Sequence, residues 1–368
     1  MVGLAAALVV VVLGATAGGV FLFQRQLAPG GPSTPQAEPC ASPPSQPSTF
    51  SPASYKGLDY EFPTDAKGNY VGTEWLRAGN WPQTSKRLDA DLSFLQRNHM
   101  GSVLRVFVGL DQLMVWDKNT GFVRYDQNAL KRFDEALHIF QRHGFQLVLV
   151  LYDQEVQSSA GNFHFAALDG KHPEMRANYL RATYQFMQRY GSTPGVLGWD
   201  LFNEAYNSLG ADGGVPRPPA SDPVSPNYSD SVVHAWLRDL YTTAKCAAPN
   251  AWLTVSDTTE IYGHQHPDLS KYADCVDFYD IHVYDDQPQL RDWSAQLHKP
   301  VIVGEAGADE GSDHYDDQAY NAGVVRSILD QGQQYHVGPV LAHSDGSNVF
   351  TVNGRLTATG QVISSYGV

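Results

Sequence analysis

The sequence predicts a parallel α/β barrel, the (β/α)8 or TIM-barrel arrangement, on three observations. Beyond residue 55, short β-branched runs alternate with longer amphipathic ones, as in a parallel sheet with helical crossovers. Eight strand candidates fit into about 310 residues, the supply such a barrel requires. No Gly-rich turn follows the first of them, as an open doubly wound sheet would carry.

The elements follow in order. The first strand is expected at Lys56–Phe62 (KGLDYEF), and a helix at Thr84–Asn98 with Leu88, Leu92 and Leu95 on one face. A strand at Val103–Val108 (VLRVFV) leads to a helix at Gln127–His143, stopped by Gly144. Phe145–Tyr152 (FQLVLVLY) reads as a buried strand, and Pro173–Tyr190 as a helix with proline in its first turn. Val196–Phe202 (VLGWDLF) is the fourth strand, Asp230–Cys246 a helix and Trp252–Val255 the fifth strand. Phe278–Val283, Val301–Val303 and Val337–Leu341 complete the set.

Upstream, Val2 to Phe23 carries no charge, and about 20 apolar residues span a bilayer as a helix. Leu4–Leu13 also makes an apolar h-region before Ala15-Thr16-Ala17, which reads as a cleavage site. Residues 1–27 are therefore a transmembrane anchor or a signal peptide, and either delivers an extracellular protein, secreted or membrane-anchored. The lack of Lys or Arg before Arg25 leaves orientation weakly specified. Residues 28–54 are rich in Pro and Ser, a spacer that cannot bury a core. Residues 55–368 form the barrel domain. A formal net charge of −14 with no basic cluster excludes nucleic-acid binding. Cys40, Cys246 and Cys275 lack zinc-site spacing. Cys246 and Cys275 flank a strand and are expected either to bridge in an exported protein or to stay as buried thiols.

The chemistry-bearing residues sit at strand ends. Strand four runs into Asn203-Glu204, and strand seven into Gly304-Glu305. In a barrel these glutamates face each other across the C-terminal mouth. A pair of carboxyl groups, one neutral and one ionised, on either side of a glycosidic bond is what glycoside hydrolysis needs. Their separation decides between retention and inversion.

Asn203-Glu204 after strand four and Glu305 after strand seven, roughly 100 residues apart, resemble the signature of the clan A retaining glycosidases. The likeness is greatest to glycoside hydrolase family five, the cellulases and β-mannanases. It covers most of residues 55–368, including the closing Leu356-Thr357-Ala358-Thr359-Gly360. It implies that Glu204 is the acid/base and Glu305 the nucleophile. It further implies that Asn203 meets the sugar 2-hydroxyl, and that Arg105 hydrogen-bonds the nucleophile and keeps it ionised. His282 and Tyr284, two apart and so on one face, match the family's His and Tyr on strand six, near the acid/base and the nucleophile respectively. No metal or organic cofactor is implied, the partner is a poly- or oligosaccharide, a monomer is expected, and membrane contact runs only through the N-terminal segment.

Trp75, Trp81 and Trp116 are expected in the loops after strands one and two, where indole faces can stack on sugars or simply pack. Asp153, Asp257 and His343 sit at other strand ends as candidate substrate contacts. The chain also departs from the family. Ala205 replaces the proline common after Asn-Glu, and Tyr152-Asp153 stands where many members have a histidine after strand three. Strand eight runs Leu341-Ala342-His343-Ser344-Asp345 without the usual tryptophan floor, which leaves the sugar open. Transglycosylation and a catalytically inactive carbohydrate-binding barrel are the alternatives to hydrolysis.

Overall fold

The computed structural model describes residues 49–61, 75–117, 119–152, 173–205, 229–258, 269–284, 290–308, 314, 317–343, 349 and 354–367. The N-terminal apolar run, most of the Pro/Ser stretch, Cys40 and Asp153 lie outside them. The strands are β1 (Lys56–Asp59), β2 (Val103–Phe107), β3 (Met114–Asp117), β4 (Gly121–Tyr125), β5 (Gln146–Val150), β6 (Val196–Asp200), β7 (Leu253–Thr254), β8 (Ser256–Thr258), β9 (Tyr279–Val283), β10 (Val301–Ala306) and β11 (Val340–His343). Nine of them form one parallel sheet in the order β7-β6-β5-β2-β1-β11-β10-β9-β8. The two ends of that order, β7 and β8, are halves of a single fifth strand on either side of Val255. Ser256 N donates to Phe202 O at 3.3 Å across the break, so the sheet comes round on itself. The predicted barrel is present.

Period-2 alternation sorts the strand side chains onto two faces. Leu58, Leu104, Val106, Leu147, Leu149, Ile281, Val283 and Ala342 pack outward under the helices in the larger core. Val103, Val148, Leu197, Ile302 and Leu341, from five strands, and Phe278, just before β9, form a separate cluster, the plug inside the barrel. Phe50 stacks on Phe278 at 4.9 Å and meets Trp252 at 5.1 Å, closing the plug from below.

The helices are α1 (Trp81–Arg97), α2 (Gln127–Arg142), α3 (Pro173–Tyr190), α4 (Asp230–Ala247), α5 (Leu290–Gln296), α6 (Gln318–Tyr335) and α7 (Ala358–Ser365). In α2, Ala129, Leu130, Phe133, Ala136, Leu137 and Phe140 recur at helical spacing, and all are buried. Its start is set by Asp126, whose side chain accepts from the backbone N–H groups of Asn128 and Ala129. Gly144, at φ +71°, takes the left-handed position that ends it. Asp317 caps α6 in the same way, accepting from Ala319 and Tyr320.

Several boundaries differ from the sequence expectation. β1 ends at Asp59 rather than Phe62, and β10 runs on through Glu305 to Ala306. The eighth strand starts at Val340, because Pro339 has no N–H to give to a ladder. Trp116 lies in a strand, since Met114–Asp117 and Gly121–Tyr125 pair as an antiparallel hairpin. The Cys246–Cys275 bridge is not formed. Cys275 is a buried free thiol 3.4 Å from Asp274 Oδ1, and burial followed by that carboxylate pushes its pKa up. Among the described residues, no helix is long and apolar enough to cross a membrane.

Candidate active site

Stepping two residues on from the apolar plug along several of the strands reaches the C-terminal mouth, where the side chains become ionisable. From Val103 the step leads to Arg105, from Phe278 to Asp280 and then His282, and from Leu341 to His343. Gly57 leads to Asp59. Asp59 pairs in register with Arg105 on one side and His343 on the other.

Arg105 is fully buried and sits at the centre. Its Nη1 donates to Glu305 Oε1 at 2.5 Å and to Asp59 Oδ1 at 3.2 Å. Its Nη2 donates to Asn203 Oδ1 at 2.6 Å, Asp200 Oδ2 at 2.8 Å and Ser256 Oγ at 3.1 Å. Asp280 Oδ2 lies 3.3 Å from Nε as an ionic contact without hydrogen-bond geometry. Burial works against this guanidinium, but Glu305, Asp59, Asp280 and Asp200 outweigh it and raise its pKa further. One cation cannot neutralise four buried carboxylates. Burial, against the opposing pull of Arg105, raises the pKa of both Asp200 and Asp280.

Glu305 owes its position to a bulge. The register of β10 against both neighbours shifts after Val303, at Gly304. A Cβ on Gly304 would lie 1.8 Å from Asp280 Oδ1, so only glycine lets the strand pass that carboxylate. Beyond the bulge Glu305 is 4% exposed and turns its carboxylate to Arg105 at the barrel centre. Its Oε2 accepts a short hydrogen bond from Tyr284 OH.

Glu204 lies just past β6 with φ at +42°, a left-handed backbone rare outside glycine. Asp200 Oδ1 accepts from Phe202 N and Ser256 N, tying the turn to β8. Ser256 Oγ accepts from Glu204 N at 3.2 Å. His282 Nδ1 is 2.8 Å from Glu204 Oε1 and 3.4 Å from Glu305 Oε2. Burial brings His282 down to about 3, with Arg105 adding to it against the pull of Glu305, so the ring is neutral. An oxygen of each glutamate and a ring nitrogen of His282 all lie within 4.8 Å of one another.

The structure thus brings together Glu204, Glu305, Arg105, Asn203, His282, Tyr284 and His343. His343 Nδ1 is 3.0 Å from Asp59 Oδ2 and 3.8 Å from Glu305 Oε2. Trp116 packs at 5.4 Å on Tyr179 of α3, with its indole N–H on Asp111 O. Asp257 is buried, next to Ser256 and on the alternate face by strand period. Trp75 and Trp81 are not sugar platforms. They are buried 6.0 Å apart, with their N–H groups on Phe107 O and Glu135 Oε2, and Trp81 is the first residue of α1. Asp59, Asp200, Ser256 and Asp280 escaped the sequence reading. Three of them are aspartates inside apolar strand runs, where aspartate is depleted, and that was their signal.

Donors of metal-ligand type also converge at Asp59, Glu305 and His343, and at Glu204, His282 and Glu305. Glu305, common to both groups, already has the positive charge of Arg105 2.5 Å away.

No family model matches the chain. A probable mannan endo-1,4-beta-mannosidase C of Aspergillus terreus is 25% identical over 132 residues, 34% of this chain and 31% of that protein. The chain therefore spans about a third of the length of that curated relative. Among solved structures, the beta-mannanase of the blue mussel Mytilus edulis superposes with a TM-score of 0.57 at 16% identity, covering 84% of this chain and 96% of that one. A GH5_18 protein of Streptomyces cattleya in complex with Manβ1-4GlcNAc gives 0.56 at 15% identity, over 76% and 74% of the two chains. These likenesses show the barrel fold and agree with the resemblance to glycoside hydrolase family five.

Proposed function

We propose that the chain is a retaining glycoside hydrolase acting on a β-linked poly- or oligosaccharide, with Glu204 as acid/base and Glu305 as nucleophile. The observation that carries this is that one oxygen of Glu204 and one of Glu305 lie within 4.8 Å of each other. Carboxyl groups about 5–5.5 Å apart suit double displacement, whereas inversion leaves about 6.5–9.5 Å for a water. The environments differ in the sense the roles require. Glu305 receives a guanidinium and a phenol donor, while Glu204 is bonded to the neutral His282.

In the first step Glu204 protonates the glycosidic oxygen while a Glu305 oxygen attacks C1, so the leaving sugar departs as an alcohol. In the second, Glu204 takes a proton from water, which attacks C1 and releases Glu305. Arg105 and Tyr284 hold the nucleophile in line, a positioning effect set before substrate arrives. Asn203 is oriented by Arg105 and Ser256 beside the sugar's 2-position. The mannanase names among the relatives make β-mannosides the first substrates to try, β-glucosides the second. Export through the N-terminal segment belongs to the same proposal, supported by its uncharged run.

A screen of β-mannans, β-glucans and aryl β-glycosides tests it, paired with Glu204→Ala and Glu305→Ala. Hydrolysis by the wild type and its loss in both variants is expected. Full activity in either variant on a confirmed substrate overturns the assignment.

A further inference from the structure

We propose that Asp59, at the end of the first strand, is a positioning residue for the nucleophile, holding Arg105 and His343 against the two sides of the Glu305 carboxylate. The proposal rests on Glu305 being the nucleophile. Asp59 is fully buried and divides its two oxygens between two arms. Oδ1 accepts from Arg105 Nη1, the same nitrogen that donates to Glu305 Oε1. Oδ2 faces His343 Nδ1 at 3.0 Å. That ring stands edge-on to Tyr284, 5.9 Å between centroids, and Tyr284 OH donates to Glu305 Oε2. Oε1 of the nucleophile is thus reached from Asp59 through Arg105 alone, and Oε2 through His343 and then Tyr284.

The arrangement has a physical rationale. Arg105 is drawn by four acids at once, and a guanidinium so surrounded has several competing orientations. Asp59 lies on the neighbouring strand in register with it, and fixes the Nη1 edge toward Glu305. On the other side, His343 stands where the resemblance leads one to expect an indole. A histidine braces Tyr284 only if its ring plane is fixed, and the bond to Asp59 fixes it. Lost alignment at a reacting centre by an ångström costs about 100-fold in rate.

The covalent step alone reads this out. With a 2,4-dinitrophenyl 2-deoxy-2-fluoro-β-mannoside or its gluco analogue, a Glu305 oxygen forms a bond to C1. The C1–O bond breaks, and dinitrophenolate leaves with the electron pair, so no proton from Glu204 is needed. The maximal inactivation rate and the half-saturating concentration are measured for wild type, Asp59→Asn, His343→Gln and the double variant. The adduct is located by peptide mass spectrometry, and folding is checked by thermal unfolding.

Asp59→Asn is expected to lower the maximal rate by about 100-fold and His343→Gln by about 10-fold, with half-saturation changed less than about 3-fold. The double variant should match Asp59→Asn alone, because both act through one chain of contacts. If the wild type is labelled at Glu305 while Asp59→Asn reacts at the wild-type rate, or the two effects multiply, Asp59 is not a positioning residue. Should Asp59→Asn not fold, His343→Gln decides, because it leaves Arg105 untouched and a wild-type rate there refutes the arm through Tyr284. A wild type labelled at a residue other than Glu305 removes the functional proposal, and this inference with it.

Discussion

The lower and upper halves of the barrel interior are made by the same strands two residues apart, yet they answer to different physics. Below, Val103, Phe278, Ile302 and Leu341 interdigitate as a close-packed plug. Above, Arg105, Asp280, His282 and His343 crowd charge and hydrogen-bonding groups into an equally buried space. The plug is a problem of volume, in which each methylene removed leaves a hole. The mouth is a problem of charge, in which one cation faces four carboxylates and each lost partner exposes another group's desolvation. The lower half holds the barrel closed, and the upper half spends part of that stability on a site arranged in advance.

Substitutions that separate volume from charge break or sharpen this contrast. The largest expected effect is on turnover. Glu305→Gln should lower kcat by about 10⁴-fold or more, while the thermal midpoint stays level or rises because one like charge leaves the cluster. Enzyme assay and calorimetry on the same sample check both halves of that statement. Arg105→Met should be the reverse in stability. Stranding four acids without their cation should cost about 3–5 kcal/mol in urea unfolding at neutral pH, and activity should vanish with it.

In the plug, Ile302→Ala should cost about 2–5 kcal/mol, yet kcat per folded molecule should stay within a few-fold of wild type. A large loss of kcat with unchanged stability there would show that the two halves are not separable. The effect that is smallest at neutral pH and grows only in acid concerns His282. His282 titrates from 6.5 when unfolded to about 3 when folded, so between those values the unfolded chain binds the extra proton. Stability should fall as pH drops through that window, and His282→Gln should flatten this slope in unfolding midpoints taken at several pH values.

Much of this was legible in the residue order, for reasons that differ by region. The plug announces itself as apolar runs of strand length, and Pro173–Tyr190 matched to the residue because its proline and following loop mark both ends. Glu204, Glu305, Arg105, His282 and Tyr284 were readable because each follows or lies within a strand whose place in a barrel is countable. The hairpin of β3 and β4 was not, since two short strands joined by a tight turn carry little periodicity of their own. For Trp75 and Trp81 the residue order left sugar stacking and packing equally open, and their burial decides for packing. Asp59 and Asp280 stand out only as aspartates within strands until the fold shows their partner: register sets Asp59 beside Arg105, and Asp280 reaches the same guanidinium from β9 across the barrel interior. Gly304 reads as a plain glycine until the bulge shows what its missing Cβ makes room for.

The stereochemistry of the first product formed tests the central claim most directly. An aryl β-glycoside that the screen identifies as a substrate is hydrolysed in an NMR tube, and the anomeric proton of the released sugar is followed before mutarotation. With Glu204 and Glu305 acting by double displacement, the β-anomer appears first and the α-anomer only later. Initial release of the α-anomer would mean inversion, and would contradict the assignment of Glu305 as a nucleophile.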